Sequence, residues 1–256
     1  MTARYLVKGL LFLAAMSGWG VLSSGAENTE IATAKKPVQV NAKAQPADYV
    51  NPFVGTTNFG TTNPGAVCPN GMMSVSPFNV MGSDENVWDK DSRWWSTPYC
   101  YENKFFTGFS HVNLSGVGCP ELGSLLTMPT SGDLEVDYRK YGSEYTGEHS
   151  VPGYYTNTLT RYGIRTEVSA TMRTSIERFT FKAGKANILM NLGEGLTNES
   201  GATVRKVSDT EIEGSKLMGT FCYNSQAVFP IYFVMRVSKA PSSCGYWKNQ
   251  RPMTAE

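Results

Sequence analysis

The sequence predicts a mainly β protein, an antiparallel β-sandwich, from three observations. Ile164, Thr166, Val168, Ala170 and Met172 alternate with Arg165, Glu167, Ser169, Thr171 and Arg173, which gives a strand one buried and one wet face. Further short apolar runs follow at close spacing, divided by Gly, Asn, Asp and Ser turn formers. No stretch carries a convincing amphipathic helix, and strands joined without crossover helices pack as antiparallel sheets.

At the start of the chain, Arg4 and Lys8 precede a mainly apolar run from Leu10 to Leu22, and Ser24-Gly25-Ala26 offers a small-residue cleavage site. Residues 1–26 therefore read as an export signal. The run is too short and too glycine-broken to favour a spanning helix, although a retained anchor is the alternative. Residues 27–47 are rich in Ala, Lys, Thr and Pro and poor in large apolar side chains, so they read as a flexible leader. Residues 48–256 are assigned to one β-domain. Within it, Asn51 to Pro129 holds many of the Gly and Pro residues with little strict alternation. This stretch is expected to form ordered loops on a rigid sheet, where ligands usually bind. Strands are expected at Ile164 to Met172, Ile176 to Phe181, Ile188 to Leu192, Thr203 to Val207, Thr210 to Glu213, Leu217 to Tyr223 and Ile231 to Val237. Gly193-Glu194-Gly195 after Asn191 is a strand end; no helix follows that could make it a nucleotide loop.

Net charge is +1 with a pI near 7.6, so the chain has no electrostatic footprint for nucleic acid or for an acidic membrane. Recognition must rest on shape and hydrogen bonding. Cys68, Cys100, Cys119, Cys222 and Cys244 permit up to two disulfides in an exported chain and leave one thiol over. No Cys-x-x-Cys pair favours zinc. There is no phosphate-binding loop, no Gly-x-Ser-x-Gly elbow and no His-Glu-x-x-His.

Two features carry binding chemistry. Trp88, Trp94, Trp95, Tyr99, Tyr101, Phe105 and Phe106 form an aromatic cluster that reads either as a platform for the apolar face of a sugar ring or as core filling. Neighbouring side chains on an extended segment face opposite ways, so Trp94 or Trp95 should be partly exposed. The second feature is Gly108-Phe109-Ser110-His111-Val112-Asn113-Leu114-Ser115-Gly116-Val117-Gly118-Cys119. Here His111 is expected in a loop, either contacting a ligand or bonding a backbone carbonyl. Gly116 and Gly118 permit positive φ or close backbone approach, and Cys119 is either a pocket residue or a small buried one.

That segment resembles the Gly-Phe-Ser-His-x-His-Leu-Ser-Gly-x-Gly-Cys run of glycoside hydrolase family 92, the calcium-dependent exo-acting α-mannosidases. Four further segments keep the family's order: Tyr49 to Thr56, Thr62 to Met72, Leu126 to Pro129, and Glu148 to Tyr155. Asn51, Asn70 and Asn113 stand where the family has Asp, Phe and His. The resemblance implies the N-terminal β-sandwich domain of a two-domain, secreted or periplasmic enzyme. Such an enzyme cleaves terminal α-mannosidic bonds of mannose-containing glycans with inversion. It also implies that the catalytic acids and calcium ligands belong mostly to a following C-terminal (α/α) barrel absent from this chain. No catalytic residue and no metal ligand is therefore assigned here. Calcium is expected in the complete enzyme, not on this chain alone, which has no dense oxygen-ligand loop. Trp94, Trp95, His111, Ser115, Gly116, Gly118 and Cys119 are the expected substrate-binding residues. The alternatives are a stand-alone carbohydrate-binding module and an inactive fragment.

Overall fold

The computed structural model describes residues 44–57, 61–81, 96–116, 118–119, 121–196, 199–219, 224, 226–249 and 251–253, all within the unit Lys43–Glu256. The export signal, most of the leader, Trp88, Trp94, Trp95 and Cys222 lie outside the described residues. Among those described, no helix is long and apolar enough to cross a membrane.

The strands run in order β1 (Ala66–Val67), β2 (Ser74–Phe78), β3 (Phe105–Phe106), β4 (Gly108–Asn113), β5 (Leu122–Ser131), β6 (Ser143–Val151), β7 (Tyr154–Leu159) and β8 (Ile164–Ala170). They continue with β9 (Ser175–Thr180), β10 (Ala186–Asn191), β11 (Glu199–Lys206), β12 (Glu211–Met218), β13 (Phe229–Arg236), β14 (Tyr246–Lys248) and β15 (Arg251–Met253). A single helical turn, Tyr138–Tyr141, joins β5 to β6 and is capped by the Asp137 side chain. Every pairing is antiparallel.

Two five-stranded sheets, β1-β2-β4-β5-β10 and β3-β6-β7-β8-β9, make the sandwich. Its core draws Val75, Phe109, Met128 and Leu189 from the first sheet and Phe106, Tyr145, Tyr155, Leu159, Ile164 and Val168 from the second. Phe109 stacks on Phe179 at 6.4 Å and meets Tyr155 edge-on at 6.0 Å, so three rings from both sheets interlock at one position. A third sheet, β11-β12-β13, and the hairpin β14-β15 follow.

The alternation read from Ile164 onward holds for Ile164, Thr166 and Val168, which are buried, but the strand stops at Ala170 and Met172 is half exposed. Two expectations are corrected. The stretch from Asn51 to Pro129 is not loop alone: between its loops it supplies β2, β4 and β5, the centre of the first sheet. β2 is buried at all five positions, and a strand covered on both faces has no reason to alternate. Pro77 is tolerated there because it lies beyond the pairing of β2 with β1, where no outer strand needs its missing N–H. Thr210 to Glu213 and the start of Leu217 to Tyr223 fall on one strand, with residues 220–223 outside those described. β12 runs unbroken through Gly214, whose role is close packing: a Cβ there would stand 2.2 Å from the Thr203 carbonyl oxygen and 2.6 Å from the Phe233 ring.

Candidate functional site

Three irregular segments meet at one edge of the first sheet. The turn around Asn51 is built locally: its side chain accepts from the Phe53 N–H at 3.0 Å, and the Thr56 hydroxyl donates to the Phe53 carbonyl at 2.8 Å. Asn serves this turn as Asp would, since only the side-chain oxygen is used. The Tyr101 N–H then donates to the Thr56 carbonyl at 2.9 Å, the Thr97 hydroxyl to the Thr62 carbonyl at 3.2 Å, and the Gly116 N–H to the Thr61 carbonyl at 2.5 Å. The stem that follows Trp94-Trp95 and the loop that follows His111 are thus tied to the same Asn51–Thr62 segment. Leu196 joins them through an N–H bond to the Leu122 carbonyl at 3.1 Å.

Backbone strain gathers at the base of this rim. Val112, Leu122 and Leu125 have φ of +57°, +61° and +55°, a region that costs a non-glycine residue about 1–3 kcal/mol. Leu125 lies where the β4–β5 register shifts, between the Phe109 and His111 pairings. Asn113 braces the turn: its amide nitrogen donates to the Ser74 and Ser110 carbonyls, its side-chain oxygen accepts from the Ser110 hydroxyl at 2.7 Å, and its N–H donates to the Ser74 hydroxyl at 2.7 Å. Where the family places a second histidine, this chain has a neutral brace.

His111 is not in a loop: it sits in β4 and is 7% exposed. The glycine pattern around it serves the neighbouring turns, while the side chain points between the sheets. Its Nδ1 lies 2.6 Å from the Leu125 carbonyl oxygen and its Nε2 2.5 Å from Glu177 Oε1, on the opposite sheet. The second Glu177 oxygen accepts from the Thr127 hydroxyl at 2.6 Å. A carbonyl only accepts, so Nδ1 carries a proton, and Nε2 and Glu177 share another. Burial opposes the charged ring, yet the Glu177 charge and the hydrogen bonds from Glu177 and Leu125 outweigh it and raise the imidazole pKa above its ordinary value. Ser124, opposite His111 in the register, holds the one buried side-chain oxygen without a hydrogen-bond partner among the described residues.

Ser115 is exposed, Gly116 half-buried and Gly118 exposed. Gly116 has φ +102°, so glycine is required by its backbone; around both glycines a Cβ would meet only open space, so neither serves close approach. Cys119 is disulfide-bonded and half-buried. Cys68, Cys100 and Cys244 are thiols outside any disulfide. Of the aromatic cluster, Tyr99 and Phe106 are core, whereas Tyr101 is 46% exposed and meets Phe53 edge-on at 6.0 Å.

Sequence reasoning did not single out two half-buried carboxylates, Glu177 and Glu148. Glu177 shares the inward face of β9 with Ser175 and Phe179, a pattern that period two could have flagged had Ile176 not drawn attention to the other face, where it is 70% exposed. Glu148 accepts from the Tyr99 hydroxyl at 3.0 Å and the Tyr155 hydroxyl at 2.7 Å, and burial raises its pKa above the usual carboxylate value. Both oxygens of each acid are engaged within the protein, so these two form structural clamps and not a hydrolytic pair. Glu121 is a further buried carboxylate. Asp84, Glu85, Asp89 and Asp91 lie outside the described residues. Among the described residues no three His, Cys, Asp or Glu side chains cluster to hold a metal. The described rim offers carbonyl and hydroxyl oxygens without grouped carboxylates, which does not fit a calcium site.

The chain matches the glycosyl hydrolase family 92 N-terminal domain over residues 49–256. Among solved structures it resembles the family GH92 α-mannosidase BT3965 from Bacteroides thetaiotaomicron at 30% identity. The TM-score is 0.68, covering 80% of this chain and 28% of that one. For the same enzyme in complex with mannoimidazole it is 0.67, covering 80% and 27%. It is also 29% identical over 178 residues to an uncharacterized secreted glycosidase of Arthroderma benhamiae, covering 63% of this chain and 22% of that protein. The chain thus spans less than a third of the length of each of these relatives. With the sandwich, the ordered motifs and the domain match in agreement, the chain belongs to glycosyl hydrolase family 92, as its N-terminal domain.

Proposed function

We propose that this chain forms one wall of the sugar pocket of an exported α-mannosidase that hydrolyses terminal α-mannosidic bonds of glycans with inversion. The observation that carries the reading is the meeting of irregular segments at one rim, with Thr97 and Tyr101 on one side and Gly116 of the family histidine motif on the other bonded to the same Asn51–Thr62 backbone. Trp94 or Trp95 supplies the platform, and Ser115, Gly116, Gly118 and Cys119 the lining, of which the disulfide at Cys119 fixes one end. His111 acts from behind, holding the loop's root against the second sheet.

Inverting hydrolysis needs an acid and a base roughly 6.5–9.5 Å apart. Glu148 and Glu177 are committed to clamps, and we assign the reacting acids to a C-terminal (α/α) barrel packed on this domain. Calcium, when bound in the complete enzyme, templates sugar hydroxyls and acts as a Lewis acid; its ligands are assigned beyond the residues described here.

Titration of the purified chain with a mannose oligosaccharide, paired with an assay for released mannose, tests this. The expected result is no release, with any measurable binding abolished by Trp94→Ala or Trp95→Ala. Strong binding that both variants abolish would move the reading towards a stand-alone carbohydrate-binding module. Binding indifferent to both variants, or mannose release by residues 27–256, refutes it.

A further inference from the structure

The third sheet has two unlike faces. Residues paired directly across antiparallel strands share a face, so the registers of β11 with β12 and of β12 with β13 sort its side chains. One face is made for water: Arg205 pairs with Glu213, Arg236 with Glu211, and the Thr203 and Ser215 hydroxyls bond each other at 2.8 Å. The other carries Val204, Ile212, Phe229, Ile231, Phe233 and Met235. Among the described residues none of these six packs into a core of the sandwich, and Val204 and Phe229 are 43% and 37% exposed. A three-stranded sheet draws its stability from covering such a face, and soluble monomers rarely leave a contiguous one bare. The face also runs back to the rim. Lys216, on the same side, is buried and donates to the Glu194 carbonyl at 3.2 Å, and the nearby Leu196 N–H donates to the Leu122 carbonyl. Whatever covers the outer part of the face therefore stands beside the loop that follows His111.

Area decides between the occupants. With strands about 4.8 Å apart and about 3.4 Å per residue, three strands of 8 residues present about 400 Å². A second copy laid face to face would bury about 800 Å² in total, the size of a lattice contact and short of the roughly 1,200 Å² of a stable complex. A domain tethered to the same chain meets no such threshold, because the link itself keeps the two surfaces at high effective concentration. The chain covers 28% of the BT3965 structure, so most of that fold has no counterpart here. We propose that the apolar face of β11-β12-β13 seats the C-terminal domain, which from there overhangs the rim and closes the sugar pocket. The identity of that domain rests on the mannosidase reading; the surface that holds it is the third sheet, and not an outer face of the sandwich.

The test compares this chain alone with the same chain fused after Glu256 to the part of BT3965 that it does not match. Val204→Glu puts a charge on the apolar face, and Val234→Glu puts the same charge on the opposite face, where the native side chain is 62% exposed. Both variants should leave the far-ultraviolet circular dichroism of the chain alone unchanged. In the fusion, the amides from Ile231 to Arg236 should exchange roughly tenfold more slowly than in the chain alone. Val204→Glu should remove that protection and Val234→Glu should keep it. Mannose release is assayed in parallel: protection without release supports the docking face while counting against the mannosidase reading. Equal exchange in the fusion and the chain alone, or protection lost equally in both variants, overturns the proposal. So does a concentration-dependent dimer of the chain alone that Val204→Glu dissolves, which assigns the face to a second copy.

Discussion

Replacing Glu177 by Gln tests the bond that joins the two sheets beneath the rim. In the native protein Nδ1 of His111 must donate to Leu125, so the ring can meet the Glu177 carboxylate only as imidazolium or by sharing the carboxyl proton. Gln keeps the shape and can still accept from Thr127, yet it carries no charge to hold a buried cation. The two side chains are 9% and 12% exposed, and removing one member of a buried ion pair costs about 3–5 kcal/mol. For a domain of this size 1 kcal/mol moves Tm by about 2–4 °C, so the lower bound alone corresponds to a loss of about 6–12 °C. The pH dependence has a definite sign. His111 has its folded pKa raised, so the pair's contribution is complete below the unfolded value of about 6.5. It is lost as pH rises through the folded value. The Tm gap between wild type and Glu177→Gln should therefore be widest at mildly acidic pH and narrow on the alkaline side, where the introduced amide can donate to a neutral Nε2. Differential scanning calorimetry from pH 5.5 to pH 9.5 measures it. A gap independent of pH, or one that widens with rising pH, refutes the shared-proton argument.

Glu148 should show a different balance, because burial raises its pKa and outweighs the Tyr155 and Tyr99 hydrogen bonds and the Lys104 charge that favour the carboxylate. As pH climbs from the ordinary carboxylate value through the raised one, wild type should lose stability relative to Glu148→Gln, and denaturant melts at pH 4 and pH 8 read the change. Steric predictions separate two glycines in the family motifs. A Cβ at Gly65 would stand 2.3 Å from the Val75 carbonyl oxygen, so Gly65→Ala should lower stability by about 1–3 kcal/mol or more. Gly118→Ala, with open space around it, should leave Tm within about 2 °C.

Much of the fold was legible because half-buried strands write their environment into the sequence. β8 shows one core face and one polar face, and the alternation of Ile231, Phe233 and Met235 against Tyr232, Val234 and Arg236 locates β13. The same logic fails for β2, whose side chains are buried in both directions, and for β12, where Gly214 resembles a turn former but sits under an aromatic ring. The glycines and the histidine pointed to the place where irregular segments meet, but not to a mechanism, and Trp88, Trp94 and Trp95 lie outside the described residues. His111 could be found in the sequence, whereas its pairing could not: Glu177 is 66 residues away and belongs to the other sheet. Only the way β9 packs across the sandwich brings that carboxylate to the ring.

The closure of β4 on β5 at Asn113 and Leu122 has an evolutionary consequence. Strained residues and the Asn113 brace anchor both ends, and between them Gly116 bonds to Thr61, Cys119 is held in a disulfide and Glu121 is buried. Such a segment behaves as a fixed template: its length cannot change without breaking one of these ties, so insertions between positions 114 and 121 should cost the rim its order before they retune what it recognises.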